Sequence, residues 1–158
     1  MRARWVVAAA VAMVAVVGGV VGWLVVRSDE GGERERRYRA EAACLLTDAD
    51  GIRGAVAAPI WAGMQRASLE TRVQVSFLAV NGAQTVPNAV GYLGGLLQGH
   101  CDLLVAVGTA PAGAVTEVAA KYPQQRFAVV GGAAAGNVEG LGEGEAAVYE
   151  LLTTALTE

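Results

Sequence analysis

Residues 101–132, CDLLVAVGTAPAGAVTEVAAKYPQQRFAVVGG, contain the pattern that decides the fold of this chain. The run DLLVAV at 102–107 is typical of a strand that is buried on both faces. A glycine turn follows, and residues 112–122 then have the apolar spacing of a helix, which Pro123 ends. The run RFAVV at 126–130 indicates the next strand. This stretch therefore predicts two parallel strands that are joined by a right-handed helical crossover.

The same alternation of strand and helix patterns extends in both directions from this stretch. The other predicted elements are strands at 43–47 and 72–80 and helices at 60–69, 88–98 and 145–156. We therefore expect an α/β fold in which residues 42–158 form a single doubly wound domain. Its four-stranded parallel sheet would have the order 2-1-3-4, with helices on both faces.

An apolar run, Trp5–Val26, precedes this domain and has no charged or amide side chain. As a helix it would be about 33 Å long, enough to cross a hydrocarbon core of about 30 Å. We therefore expect one transmembrane helix at 5–26. A cleaved signal peptide is the alternative, although the apolar region of such a peptide usually has only about 7–15 residues and ends in small ones.

Charge predicts how this anchor is oriented. Residues 1–4 contain two arginines and no acid, so this tail should stay in the cytoplasm and the domain should lie outside the cell. Residues 27–41 are densely charged and form a predicted linker. After Arg27 the chain has nine basic and fifteen acidic residues, a formal charge of −6. This balance argues against nucleic acid as a partner.

Cys44 lies in the first predicted strand, and Cys101 lies directly before the third. The first and third strands are neighbours in the expected sheet, and the domain is expected in an oxidising compartment. We therefore predict a disulfide between them. Two buried free thiols are the alternative, because an offset in register could separate the Cα atoms by more than about 7 Å.

Four stretches resemble the amino-terminal lobe of the basic membrane protein family. They are CLLTDADGI at 44–52, IWAGMQRA at 60–67, the stretch 101–132, and NVEGL at 137–141. Members of this family are solute-binding proteins of ABC importers with the type 1 periplasmic-binding fold. The resemblance implies a nucleoside-like small molecule as the solute and an ABC permease as a partner.

One segment departs from the family pattern. After the first turn, family members have an acid and a Ser-Phe-Asn run whose aromatic ring stacks on the solute, but residues 53–58 here read RGAVAA. The family's second lobe is also not part of this sequence, so we expect a second lobe or a second protomer to supply the opposite wall. A non-catalytic interaction module at the membrane is the alternative function.

The predicted solute site lies at the carboxyl ends of the strands, where parallel sheets bind ligands. Its candidate residues are Thr47, Asp48, Asp50, Gly108 and Thr109. At Thr47, Asp48 and Gly108 the resemblance implies contacts with the solute.

The sequence indicates binding rather than catalysis. His100 is the only histidine, and the two cysteines are expected to pair, so we expect no metal site. No nucleophile–base pair and no phosphate loop is recognisable, so we expect neither catalytic residues nor a cofactor.

Overall fold

The computed structural model of this protein describes residues 39–156. The predicted tail at 1–4, the predicted transmembrane helix at 5–26 and most of the predicted linker at 27–41 lie outside the described residues. Between residues 39 and 156, no helix has the length and apolar character needed to cross a membrane.

Strands and helices alternate along the described residues. The strands are β1 (Ala42–Thr47), β2 (Gln74–Ala79), β3 (Leu103–Ala106), β4 (Arg126–Val130) and β5 (Val138–Leu141). The helices are α1 (Ala57–Thr71), α2 (Val86–Gln98), α3 (Thr109–Val118) and α4 (Glu145–Ala155). Short 3-10 turns at Gly51–Arg53 and Ala119–Lys121 follow β1 and α3.

All strands of the described residues form one parallel sheet in the order β2-β1-β3-β4-β5. The predicted α/β fold and parallel sheet are confirmed, but the predicted count of four strands is wrong. The fifth strand, β5, pairs with β4 and brings Val129 opposite Gly140. Only residues 131–137 join these strands, whereas a parallel crossover usually needs a dozen residues or more. Because this connection is too short for a helical crossover, the sequence pattern predicted no strand after 126–130.

Two apolar layers cover the two faces of the sheet. Leu45 and Val105 point to the layer of α1 and α4, and Leu46 and Leu104 point to the layer of α2 and α3. All four side chains are at most 1% exposed. The continuous apolar runs of β1 and β3 follow from this arrangement, because both faces of each central strand are covered.

A disulfide joins Cys44 to Cys101, as predicted. The strand register pairs Cys44 with Leu104, three residues after Cys101, yet the Cα atoms of the two cysteines are 5.8 Å apart. Both cysteines are buried. The bridge therefore fixes the amino-terminal side of β3 to β1.

Candidate functional site

An open cavity of about 410 Å³ lies at the carboxyl ends of β1, β3 and β4. The turn after β1 and the start of α1 form one side. The glycine turn between β3 and α3 and the end of β4 form the rest, together with Glu143. This is the edge at which parallel α/β sheets bind ligands.

Asp48, Asp50, Gly108 and Thr109, four of the five predicted site residues, line this cavity. Thr47 does not line it, because its side chain is fully buried. The Thr47 hydroxyl donates a hydrogen bond of 3.1 Å to the carbonyl oxygen of Asp48. Thr47 thus supports the turn that carries Asp48. The role of all five residues in binding stays a prediction.

The half-buried carboxylate of Asp48 connects the ends of β1 and β3. Its Oδ1 accepts a hydrogen bond of 3.2 Å from the backbone N–H of Asp50, a typical Asx turn. Its Oδ2 lies against Gly108, where an added Cβ would be only 3.2 Å away. Gly108 has a φ of 102°, which glycine adopts without strain. Glycine at this position therefore both turns the chain and leaves room for the carboxylate.

Glu143 makes a similar contact at the end of the neighbouring strand. Gly131, which follows β4, has a φ of 71°, and a Cβ built on it would lie 3.4 Å from Glu143 Oε1. Sequence analysis missed Glu143, because it predicted no strand between 130 and the helix at 145–156. An acid flanked by glycines directly after NVEGL was the available signal.

Helix α3 contributes hydrogen-bond donors to the cavity. It begins at Thr109, and no side chain caps its N-terminus. In its first turn, the N–H groups of Thr109 and Ala110 have no partner inside the helix. Pro111 has no N–H, and the N–H of Ala112 donates to the carbonyl oxygen of Gly108. The cavity therefore has donors at the start of α3 and acceptors on the carboxylates.

The remaining lining is small and apolar. Gly54, Ala55 and Val56 line the cavity in the segment where the resemblance implies a stacking aromatic ring. Of the described side chains that line the cavity, none is aromatic and none is basic. No group of three or more His, Cys, Asp or Glu residues within 39–156 is arranged to hold a metal ion.

No protein-family model matches this chain, and no curated protein matches it. Solved structures are similar to it. One is a fragment described as a lipoprotein from Peptoclostridium difficile 630, with 18% identity, a TM-score of 0.56, and coverage of 73% of this chain and 91% of the fragment. Another is a solute-binding protein of an ABC transporter system from Aeropyrum pernix K1. It has 28% identity, a TM-score of 0.52, and coverage of 62% of this chain and 27% of its own.

A transcriptional activator of the comK gene from Bacillus halodurans is also similar, with 18% identity and a TM-score of 0.51. The match covers 61% of this chain and 32% of the activator. The two comparisons at 18% identity show the fold alone. This chain therefore has the α/β fold found in ABC-transporter solute-binding proteins, and it spans only about a quarter of the length of the one from A. pernix.

Proposed function

We propose that this domain binds a small polar solute in the cavity at the carboxyl ends of β1, β3 and β4. It would do so without catalysis, outside the cell, held at the membrane by residues 5–26 and serving an ABC importer. One cavity is lined by residues from the ends of separate strands, Asp48 and Gly108 among them. This observation carries the proposal. The similarity to the solute-binding protein from A. pernix supports it.

The cavity suits a solute of nucleoside size. Its volume of about 410 Å³ is within the range of small-molecule pockets, about 300–1,000 Å³. Carboxylates accept hydrogen bonds from sugar hydroxyls, and the start of α3 can donate to a carbonyl or ring nitrogen. Because the cavity is open, a second protomer or a second lobe would supply the opposite wall.

Thermal unfolding of the full chain with a panel of nucleosides, sugars and amines tests this proposal. A ligand at about 100 times its Kd stabilises the folded state by about 2.7 kcal/mol, which gives a clear rise in Tm. We expect Asp48→Asn to abolish the rise. Glu117→Gln, which changes an exposed carboxylate on α3 outside the cavity lining, should retain it. A panel without any shift, or a shift that survives Asp48→Asn, would contradict the proposal.

One observation favours the alternative, an interaction module at the membrane. Strand β2 is at an edge of the sheet, and its Phe77 is 44% exposed. The Phe77 ring contacts Trp61 edge-on at 5.3 Å between centroids, so the two rings form an aromatic surface beside the edge strand of the sheet. Edge strands are a common place for another strand to pair. A photo-crosslinker at Phe77 would capture a protein partner in native membranes. Capture of this chain alone would count against the alternative.

A further inference from the structure

We propose that the solute of this cavity carries a positively charged nitrogen. This inference rests on the proposed function and names the class of solute. The cavity defines the site, and the side chains around it determine which charge the site accepts.

Three carboxylates line the cavity, from Asp48, Asp50 and Glu143, and no described lysine, arginine or histidine side chain lines it. Arg66 forms ion pairs with Glu70 and Glu145, and none of these three residues lines the cavity. A solute in this cavity therefore meets a formal charge of −3 that no basic side chain of the lining offsets. Asp50 and Glu143 are exposed and Asp48 is half-buried, so the charge of Asp48 is the least screened by water. This environment disfavours phosphates and carboxylates.

Two of the carboxylates lie at the ends of neighbouring strands. Asp48 Oδ2 lies beside Gly108 after β3, and Glu143 Oε1 lies beside Gly131 after β4. These strands are direct neighbours in the sheet. A cationic group that binds at this edge therefore has a carboxylate beside each of the two strand ends, and hydrogen bonds from a charged nitrogen to a carboxylate are stronger than neutral ones.

Both oxygens are available for such bonds. The hydrogen bond that orients the Asp48 side chain uses Oδ1, so it leaves Oδ2 on the Gly108 side. The N–H groups at the start of α3 lie at the same cavity and suit an oxygen or ring nitrogen elsewhere on the solute. The arrangement thus favours a solute with a cationic end and a hydrogen-bond-accepting end.

The test compares solutes of similar shape and different charge by titration calorimetry on the full chain near neutral pH. The probes are 1-methyladenosine, which is cationic, adenosine, which is neutral, and adenosine 5′-monophosphate, which is anionic. Agmatine adds a cation of unrelated shape. We expect one of the cations to bind at least about tenfold more tightly than adenosine, with no detectable binding of the monophosphate.

Glu143→Gln keeps the shape of the side chain and removes its charge. We expect it to weaken cation binding about tenfold and adenosine binding by a much smaller factor, while Glu117→Gln changes neither. Cation affinity should also fall when the salt concentration is raised.

Each contrary result has a separate meaning. Adenosine or its monophosphate binding as tightly as the cations would refute the charge assignment and leave solute binding intact. If calcium chloride alone gives a binding signal and Glu143→Gln abolishes that signal, the cavity binds a metal ion and the charge assignment of the solute is refuted. No binding by any probe would contradict the proposed function and the charge assignment together.

Discussion

Replacing Gly63 with alanine tests the closest approach between two helices of the fold. Gly63 is buried in α1 where this helix packs on α4. An added Cβ would lie 2.5 Å from Val148 Cγ1 and closer still to the carbonyl oxygen of Glu145. Cβ atoms are essentially never found within 3.0 Å of another heavy atom. Since one of these atoms is backbone and Val148 is fully buried, α4 must move away.

Two effects of opposite sign determine how much Gly63→Ala changes the free energy of unfolding. Overpacking of a core contact costs about 1–3 kcal/mol, and the upper end applies here because a helix backbone has to shift. Alanine in place of glycine inside a helix stabilises the folded state by about 1 kcal/mol. We therefore expect Gly63→Ala to lower the free energy of unfolding by about 2 kcal/mol, and the Tm by about 6–10 °C for a domain of this size.

Gly91→Ala is the matched control for this experiment. Gly91 lies inside α2, and a Cβ there would have no other atom within 4 Å, so only the gain in helix propensity remains. We expect this variant to gain up to about 1 kcal/mol. Urea unfolding of the full chain, followed by far-ultraviolet circular dichroism, measures both variants. The reasoning is wrong if Gly63→Ala proves as stable as Gly91→Ala.

Three further predictions concern the bridge, the site and the helix surface. Reducing the disulfide should cost about 4 kcal/mol in urea unfolding, because the bridge closes a sequence separation of 57 residues; unchanged stability would contradict this. Gly108→Ala should lower the free energy of unfolding by about 1–2 kcal/mol and weaken solute binding, because φ is 102° at this position. Normal solute binding by calorimetry would contradict the expected loss of binding. The hydrogen bond to Glu70 raises the pKa of Tyr149 above its usual value. The neutral phenol therefore contributes to stability below about pH 10, and this contribution is lost as the pH rises through the raised pKa. Glu70→Ala should shift the Tyr149 absorbance titration to lower pH, and an unchanged curve would contradict this cause.

The central part of the fold was predictable because its signals are local. Strands β1 and β3 are continuous apolar runs, and Leu45 and Leu104 show why, since each is buried in a helix-covered layer. Helix ends were less predictable. The structure begins α1 at Ala57, three residues before the predicted start. No side chain caps this end, and residues 55–58, AVAA, contain no polar residue that would mark it in the sequence.

The fifth strand and the full set of site residues depend on long-range pairing, so the sequence pattern did not give them. In β5 only Leu141 is buried, and pairing with β4 is what makes the segment a strand. Glu143 reaches the cavity because β5 runs beside β4 to the same edge of the sheet. Without β5 in the expected sheet, no argument from the sequence could place Glu143 near Asp48.

The chain has the same local arrangement after β3 and after β4, and in both places this arrangement sets a carboxylate at the cavity. A glycine with positive φ follows each strand, Gly108 after β3 and Gly131 after β4, and each lies beside a carboxylate from another segment. A side chain at either position would strain the backbone, and at Gly108 it would also crowd the Asp48 carboxylate. The turn after β3 and the position of Asp48 are therefore coupled. Because the described lining has no aromatic ring for stacking, the proposed solute would have to be held mostly by polar contacts at these two strand ends.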